Sequence, residues 1–120
     1  MNDTGPVFIK LMEVIENEIV TGVYQTDDLI ISTTQISKVY SVNPATAVKA
    51  VSKLTDAGIL YKKRGIGMCV ADGARTKIIK RRKDVFLNQT VNALLEEAKT
   101  LDISLKDLIS VIKTKEGEKS

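Results

Sequence analysis

Few side chains in this 120-residue chain could do chemistry, and those few point to binding rather than catalysis. There is no histidine, which removes the commonest general base and the commonest transition-metal ligand. Asp27-Asp28 and Glu96-Glu97 are paired carboxylates, but with no histidine or apolar enclosure they read as solvent-facing, not as an acid–base pair. The single cysteine, Cys69, lies between Met68 and Val70 and reads as a small buried hydrophobe; it excludes an internal disulfide and suits a reducing cytoplasm. Gly65-x-Gly67 is no phosphate loop, because Gly-Lys-Ser/Thr does not follow it. No enzyme, metal site or cofactor is expected. What remains is cationic. The net charge is only +3, yet residues 60–83 hold nine Lys/Arg against one Asp, a net of +8, while residues 1–59 sum to −3 and residues 84–120 to −2. A local basic patch on a near-neutral chain implies a polyanionic partner.

The elements that must position those charges can be read around residues 41–71. Asn43 is a good N-cap and Pro44 suits the first helical position, where its missing N–H costs nothing. Ala47, Ala50, Val51 and Leu54 form an apolar stripe, and Gly58 stands where a helix end needs a left-handed residue. Thr46, Lys49, Ser52 and Lys53 occupy the other face, a polar surface able to lie in a DNA major groove. Two short runs, Leu60–Lys63 and Met68–Ala71, then flank Arg64-Gly65-Ile66-Gly67 and predict a β-hairpin. Upstream, Phe8, Leu11, Met12, Ile15 and Ile19 predict a helix over Val7–Thr21, with Glu13, Glu16 and Glu18 off its stripe. Val23–Ile31 is a connector. Ser32-x-x-Gln35 is a capping box for a short helix over Thr33–Tyr40, with Ile36 and either Val39 or Tyr40 inward.

Helix, turn, helix and basic hairpin in this order give the fold class: mainly α with a small β-hairpin, a winged helix-turn-helix domain plus a two-helix C-terminal segment. Residues 6–71 resemble the DNA-binding domain of the GntR family of bacterial transcription regulators. The resemblance rests on Val42-Asn43-Pro44-Ala45-Thr46, Ala50-Val51, Leu54, Ala57-Gly58-Ile59-Leu60 and Arg64-Gly65-Ile66-Gly67-Met68-Cys69-Val70. The short tail behind the domain is similar to the YtrA-type subgroup. This resemblance implies contact with double-stranded operator DNA by Ser32, Thr34, Asn43, Ala45, Thr46, Lys49, Lys53, Lys63, Arg64, Gly65 and Gly67, with the wing tip in the minor groove. It also implies a repressor. The chain departs from the family at Thr34 and Val48, where many members have arginine, and at Gln25–Asp28 and Ile30–Ser32, where they have a Pro- and Gly-rich turn and Leu-Pro-Ser.

Two domains are expected, 1–73 for DNA and 74–120 for dimerisation. Ala74–Leu101 contains neither Pro nor Gly and predicts a long helix with a basic start, Arg75–Lys83. The run Lys80–Lys83 is either a solvated helix start or a set of flanking phosphate contacts. Leu87, Val91, Leu94, Ala98 and Leu101 repeat with 4,3,4,3 spacing, a seam for another helix. Ser104-x-x-Asp107 caps a last helix, with Leu105, Leu108, Ile109 and Ile112 on one face and a charged, frayed tail over Lys113–Ser120. Two amphipathic helices bury little surface alone, so residues 84–113 read as a hairpin packing on its copy in a homodimer, with an inverted-repeat operator. The tail is too short to enclose a pocket, so any unknown small-molecule effector would have to bind between helices of the dimer. The N-terminus lacks signal-peptide features and no apolar run could span a membrane, so no membrane partner is expected. The rival readings are a winged-helix protein–protein adaptor without DNA binding and a small basic RNA-binding protein that prefers RNA to duplex DNA.

Overall fold

The computed structural model describes residues 6–119; the readings of Met1–Gly5 and of Ser120 lie outside them. Its elements are α1 (Val7–Val20), α2 (Thr33–Val39), α3 (Pro44–Asp56), β1 (Leu60–Lys63), β2 (Gly67–Val70), α4 (Ala74–Val85), α5 (Val91–Thr100) and α6 (Leu105–Lys119). A π-helical turn, Phe86–Thr90, joins α4 to α5. The described residues thus form a mainly helical chain with one small antiparallel sheet, a winged helix-turn-helix.

Packing divides the chain into one unit ending at Lys80 and another beginning at Arg81. In the first, α1 and α2 both pack on α3, and α3 packs on β1. Leu11, Ile15, Ile36, Ala47, Leu54, Leu60, Val70 and Ile78 form its core, so the first two turns of α4 belong to it. Phe8, Met12 and Val42 pack against that core half-buried, and Cys69 is buried as a small hydrophobe. At the end of α2, Tyr40 packs inward while Val39 is exposed.

The end of α3 shows how sequence sets the path. Gly58 has φ +74°, the Ile59 N–H donates to Leu54 O at 2.9 Å and the Gly58 N–H to Thr55 O at 3.0 Å. This crossed pair is the Schellman arrangement. It buries Ile59 against Leu54 and sends the chain into β1.

Three expectations are corrected. Glu16 was expected off the apolar stripe but is buried, at 2% exposure. Position 16 lies one turn from Met12 and from Ile19, so it falls inside an apolar arc wider than the stripe suggested. The long helix is not uniformly α. The Asn88 side chain donates to Asp84 O at 2.8 Å, the carbonyl that an α-helix would give to the Asn88 N–H, and Asn92 does the same to Asn88 O at 2.8 Å. Such competition favours a π turn. The tail past Lys113 is helical as far as Lys119 instead of frayed. Lys115 and Glu118, three apart and opposite in charge, sit where a helix lets them attract.

The connector is also more ordered than a loop. The Asp27 N–H donates to Val70 O at 2.9 Å, the Val70 N–H to Asp28 O at 3.0 Å and the Ile30 N–H to Met68 O at 2.9 Å. Leu29 bridges Cys69, so residues 27–30 line the outer edge of β2. In the second unit α5 packs on α6; Ala98 is buried and Leu108 half-buried.

Candidate nucleic-acid interface

Two capped helix starts and one turn carry the candidate residues. At α2, Ser32 Oγ accepts the Gln35 N–H at 3.2 Å and Gln35 Oε1 accepts the Ser32 N–H at 3.0 Å, completing the capping box. Thr34 follows, exposed. At α3, Asn43 Oδ1 accepts the Ala45 N–H at 2.8 Å, which leaves the amide Nδ2 of Asn43 outside the capping bond. Ser41 and Val42 make the turn between them, with Ser41 at φ +52°.

Along α3, Ala45, Val48, Lys49, Ser52 and Lys53 are exposed and Thr46 is half-buried. Lys49 is not simply free in solvent: its ammonium lies 4.2 Å from the centre of the Phe8 ring of α1, a cation–π contact. This holds the charge at the α1 side of the face.

The wing pairs Leu60 with Val70 through Lys63 with Gly67. The Ile66 N–H closes the turn on Lys63 O at 2.9 Å, and Gly65, at φ +78°, fills the third turn position. That position needs positive φ in a type II turn, which is why glycine stands there. Lys62, Lys63, Arg64 and Gly65 are exposed, whereas Gly67 is half-buried. Ile66 was missed as a tip residue; its apolar type between two glycines was the available signal, and it is exposed.

These parts converge. Ser32 and Thr33 of the α2 start, Val51 of α3 and Ile66, Gly67 and Met68 of the wing line one cavity of about 280 Å³. The α2 start and the wing tip thus flank the same side of α3. Tyr61 on β1 fixes the wing base by donating to Asp27 Oδ1 at 2.7 Å, and that bond pushes its phenol pKa up to about 12. Asp28 accepts the Gln25 N–H at 2.8 Å, so both carboxylates of the connector brace structure.

Arg75 and Lys77 of the basic run have structural partners. Arg75 Nε donates to Val20 O at 3.0 Å and Lys77 Nζ to Gly58 O at 3.5 Å. Both place a cation at a helix C-terminus, where the peptide dipoles favour it. Among the residues expected in the dimer seam, Leu87, Leu94, Leu101, Leu105, Ile109 and Ile112 are exposed, Leu105 at 62%, while Val91 and Leu108 are half-buried and Ala98 is buried. No helix among the described residues is long and apolar enough to cross a membrane.

No protein-family model and no curated protein matches the chain. Solved structures do. A GntR-family protein from Bacteroides thetaiotaomicron superposes with a TM-score of 0.82 at 27% identity, covering 94% of this chain and 99% of that one. A GntR family transcriptional regulator from Listeria monocytogenes gives 0.72 at 25% identity, over 95% of this chain and 98% of that one. The DNA-binding domain of AraR, in complex with operator ORX1, gives 0.55 at 27% identity, over 59% of this chain and 86% of that one. The helix–turn–helix–wing order, the capped α3 and the Gly65-x-Gly67 turn thus lie in a chain that superposes almost end to end on two GntR-family structures, from Bacteroides thetaiotaomicron and Listeria monocytogenes, to which it is similar in fold and in about a quarter of its residues.

Proposed function

We propose that the chain is a sequence-specific DNA-binding transcription regulator. The observation that carries this reading is the joint presentation of the exposed α3 face and the basic wing beside the capped α2 start. Two capped helix N-termini, a cationic hairpin and a polar helix face suit a duplex, with α3 in the major groove and Lys63 and Arg64 on phosphates or in the adjacent minor groove. The likeness to the AraR domain on its operator supports it.

The finer reading is a cytoplasmic repressor of the YtrA type. It acts as a homodimer on an inverted repeat, with 1–73 as the DNA-binding domain and 74–120 as the dimerisation segment. The exposed leucines and isoleucines of α5 and α6 support self-association, because a monomer gains nothing by leaving them in water. The DNA contacts assigned are Ser32, Thr34, Asn43, Ala45, Thr46, Lys49, Lys53, Lys63, Arg64, Gly65 and Gly67.

The test is selection of bound duplexes from a random pool. A two-fold symmetric motif is expected; no consensus at any salt would favour the adaptor reading. On the selected duplex, Lys63→Ala with Arg64→Ala should lower the slope of log affinity against log salt by about four for the dimer, two per half-site, while leaving the fold intact, since each lysine or arginine on a phosphate displaces about one counterion.

A further inference from the structure

The exposed face of α3 is poorer in charge than the wing beside it. Lys49 is drawn to the Phe8 ring, and Lys53 stands in the last turn. The middle of the face is left to Ala45, Val48 and Ser52, none of which can bridge the two acceptors of guanine as an arginine does. Val48 is 54% exposed. Little in the fold asks for valine there: β-branching lowers helix propensity, and more than half of the side chain is left in water. Val51, three residues further along α3, shares a cavity with the capped α2 start and the wing tip, so a ligand covering this side of α3 meets groups that favour negative charge. In the major groove the apolar feature at a base edge is the thymine C5-methyl, and small aliphatic side chains are its usual partners.

Resting on the DNA-binding reading above, we infer that Val48 is a specificity-determining residue that packs on a thymine methyl, and that each half-site carries a thymine at the step it faces. Ala45, one turn earlier on the same face, leaves room for the groove edge to approach. The wing and helix termini supply sequence-independent attraction; Val48 supplies discrimination.

The test compares thymine with uracil, which keeps every hydrogen-bonding group and lacks only the methyl. Duplexes selected by the wild-type protein are remade with single thymines replaced by uracil, then titrated with wild-type and with Val48→Ala. At one thymine per half-site the wild-type should bind about four- to ten-fold more weakly, the size expected for one apolar group left uncovered. Val48→Ala should bind the parent duplex more weakly and be indifferent to uracil at that step. The inference is overturned if the wild-type tolerates uracil at every position, or if Val48→Ala shows the same uracil penalty. Failure of the wild-type to select any duplex would instead overturn the DNA-binding reading, and this assignment with it. Alanine is the better helix former, so circular dichroism should show Val48→Ala as helical as the wild-type.

Discussion

Tyr61 and Asp27 meet across 34 positions of sequence, and their bond ties the wing base to the connector. The bond exists only while the phenol keeps its proton. The folded protein holds that proton up to about pH 12, whereas an unfolded chain releases it near the ordinary value of 10. The stabilisation is therefore complete below about pH 10 and is lost as pH climbs towards 12. The chain has three tyrosines and no tryptophan, so phenolate absorbance reports on the tyrosines alone. Tyr61→Phe should delete the last phenolate step and flatten stability against pH in that alkaline window. At this scale the sequence was legible where a residue obeys its own local rule. Ser32, Asn43 and Cys69 do so. It was not legible where a partner far along the chain decides. The Lys49 ammonium over Phe8, the Tyr61 hydroxyl on Asp27 and the burial of Glu16 all depend on packing that spacing does not encode.

The ends of α2, α3 and α5 share one geometry. Val42 N–H donates to Ser37 O at 3.0 Å, Ile59 N–H to Leu54 O at 2.9 Å and Ile103 N–H to Ala98 O at 2.9 Å, each spanning five residues. The left-handed residue between is Ser41, Gly58 or Asp102. Only the middle end advertised itself, because only there does glycine stand. Ser41 bears the Cβ strain of a left-handed backbone, so Ser41→Gly should raise the unfolding free energy by about 1 kcal/mol in urea denaturation. A smaller or negative change would show that the serine hydroxyl or added chain entropy offsets the relief. The π turn escaped sequence reading for a related reason. Asparagine side chains that take backbone carbonyls leave the apolar spacing untouched, and that spacing was the signal available.

Charge and hydrophobicity are segregated over the whole molecule. The excess of Lys/Arg lies at residues 60–83, whereas the apolar side chains left bare cluster in the second unit, among them Leu87 at 60%, Leu101 at 61% and Leu105 at 62%. Under the homodimer reading, Leu94→Asp should yield monomers in sedimentation velocity and weaken operator binding, because each half-site would then be held singly. A dimer that survives the change would mean that the interface lies elsewhere. The first unit was readable almost throughout because it satisfies its own hydrophobic pattern. The second was readable as helices but not in what they pack on, since their apolar faces are unsatisfied within one copy. The first unit also joins its most peripheral part to its centre. A two-stranded ribbon alone is marginal in water. Here β2 is bonded along its outer edge by Asp27, Asp28 and Ile30, and Val70 lies in the core. Opening the wing base thus requires opening the helical body as well. In hydrogen exchange the Val70 amide should be as slow as those of α3, while the Ile66 amide at the tip exchanges early. The hairpin would then meet a duplex already in shape, with little ordering entropy left to lose on contact.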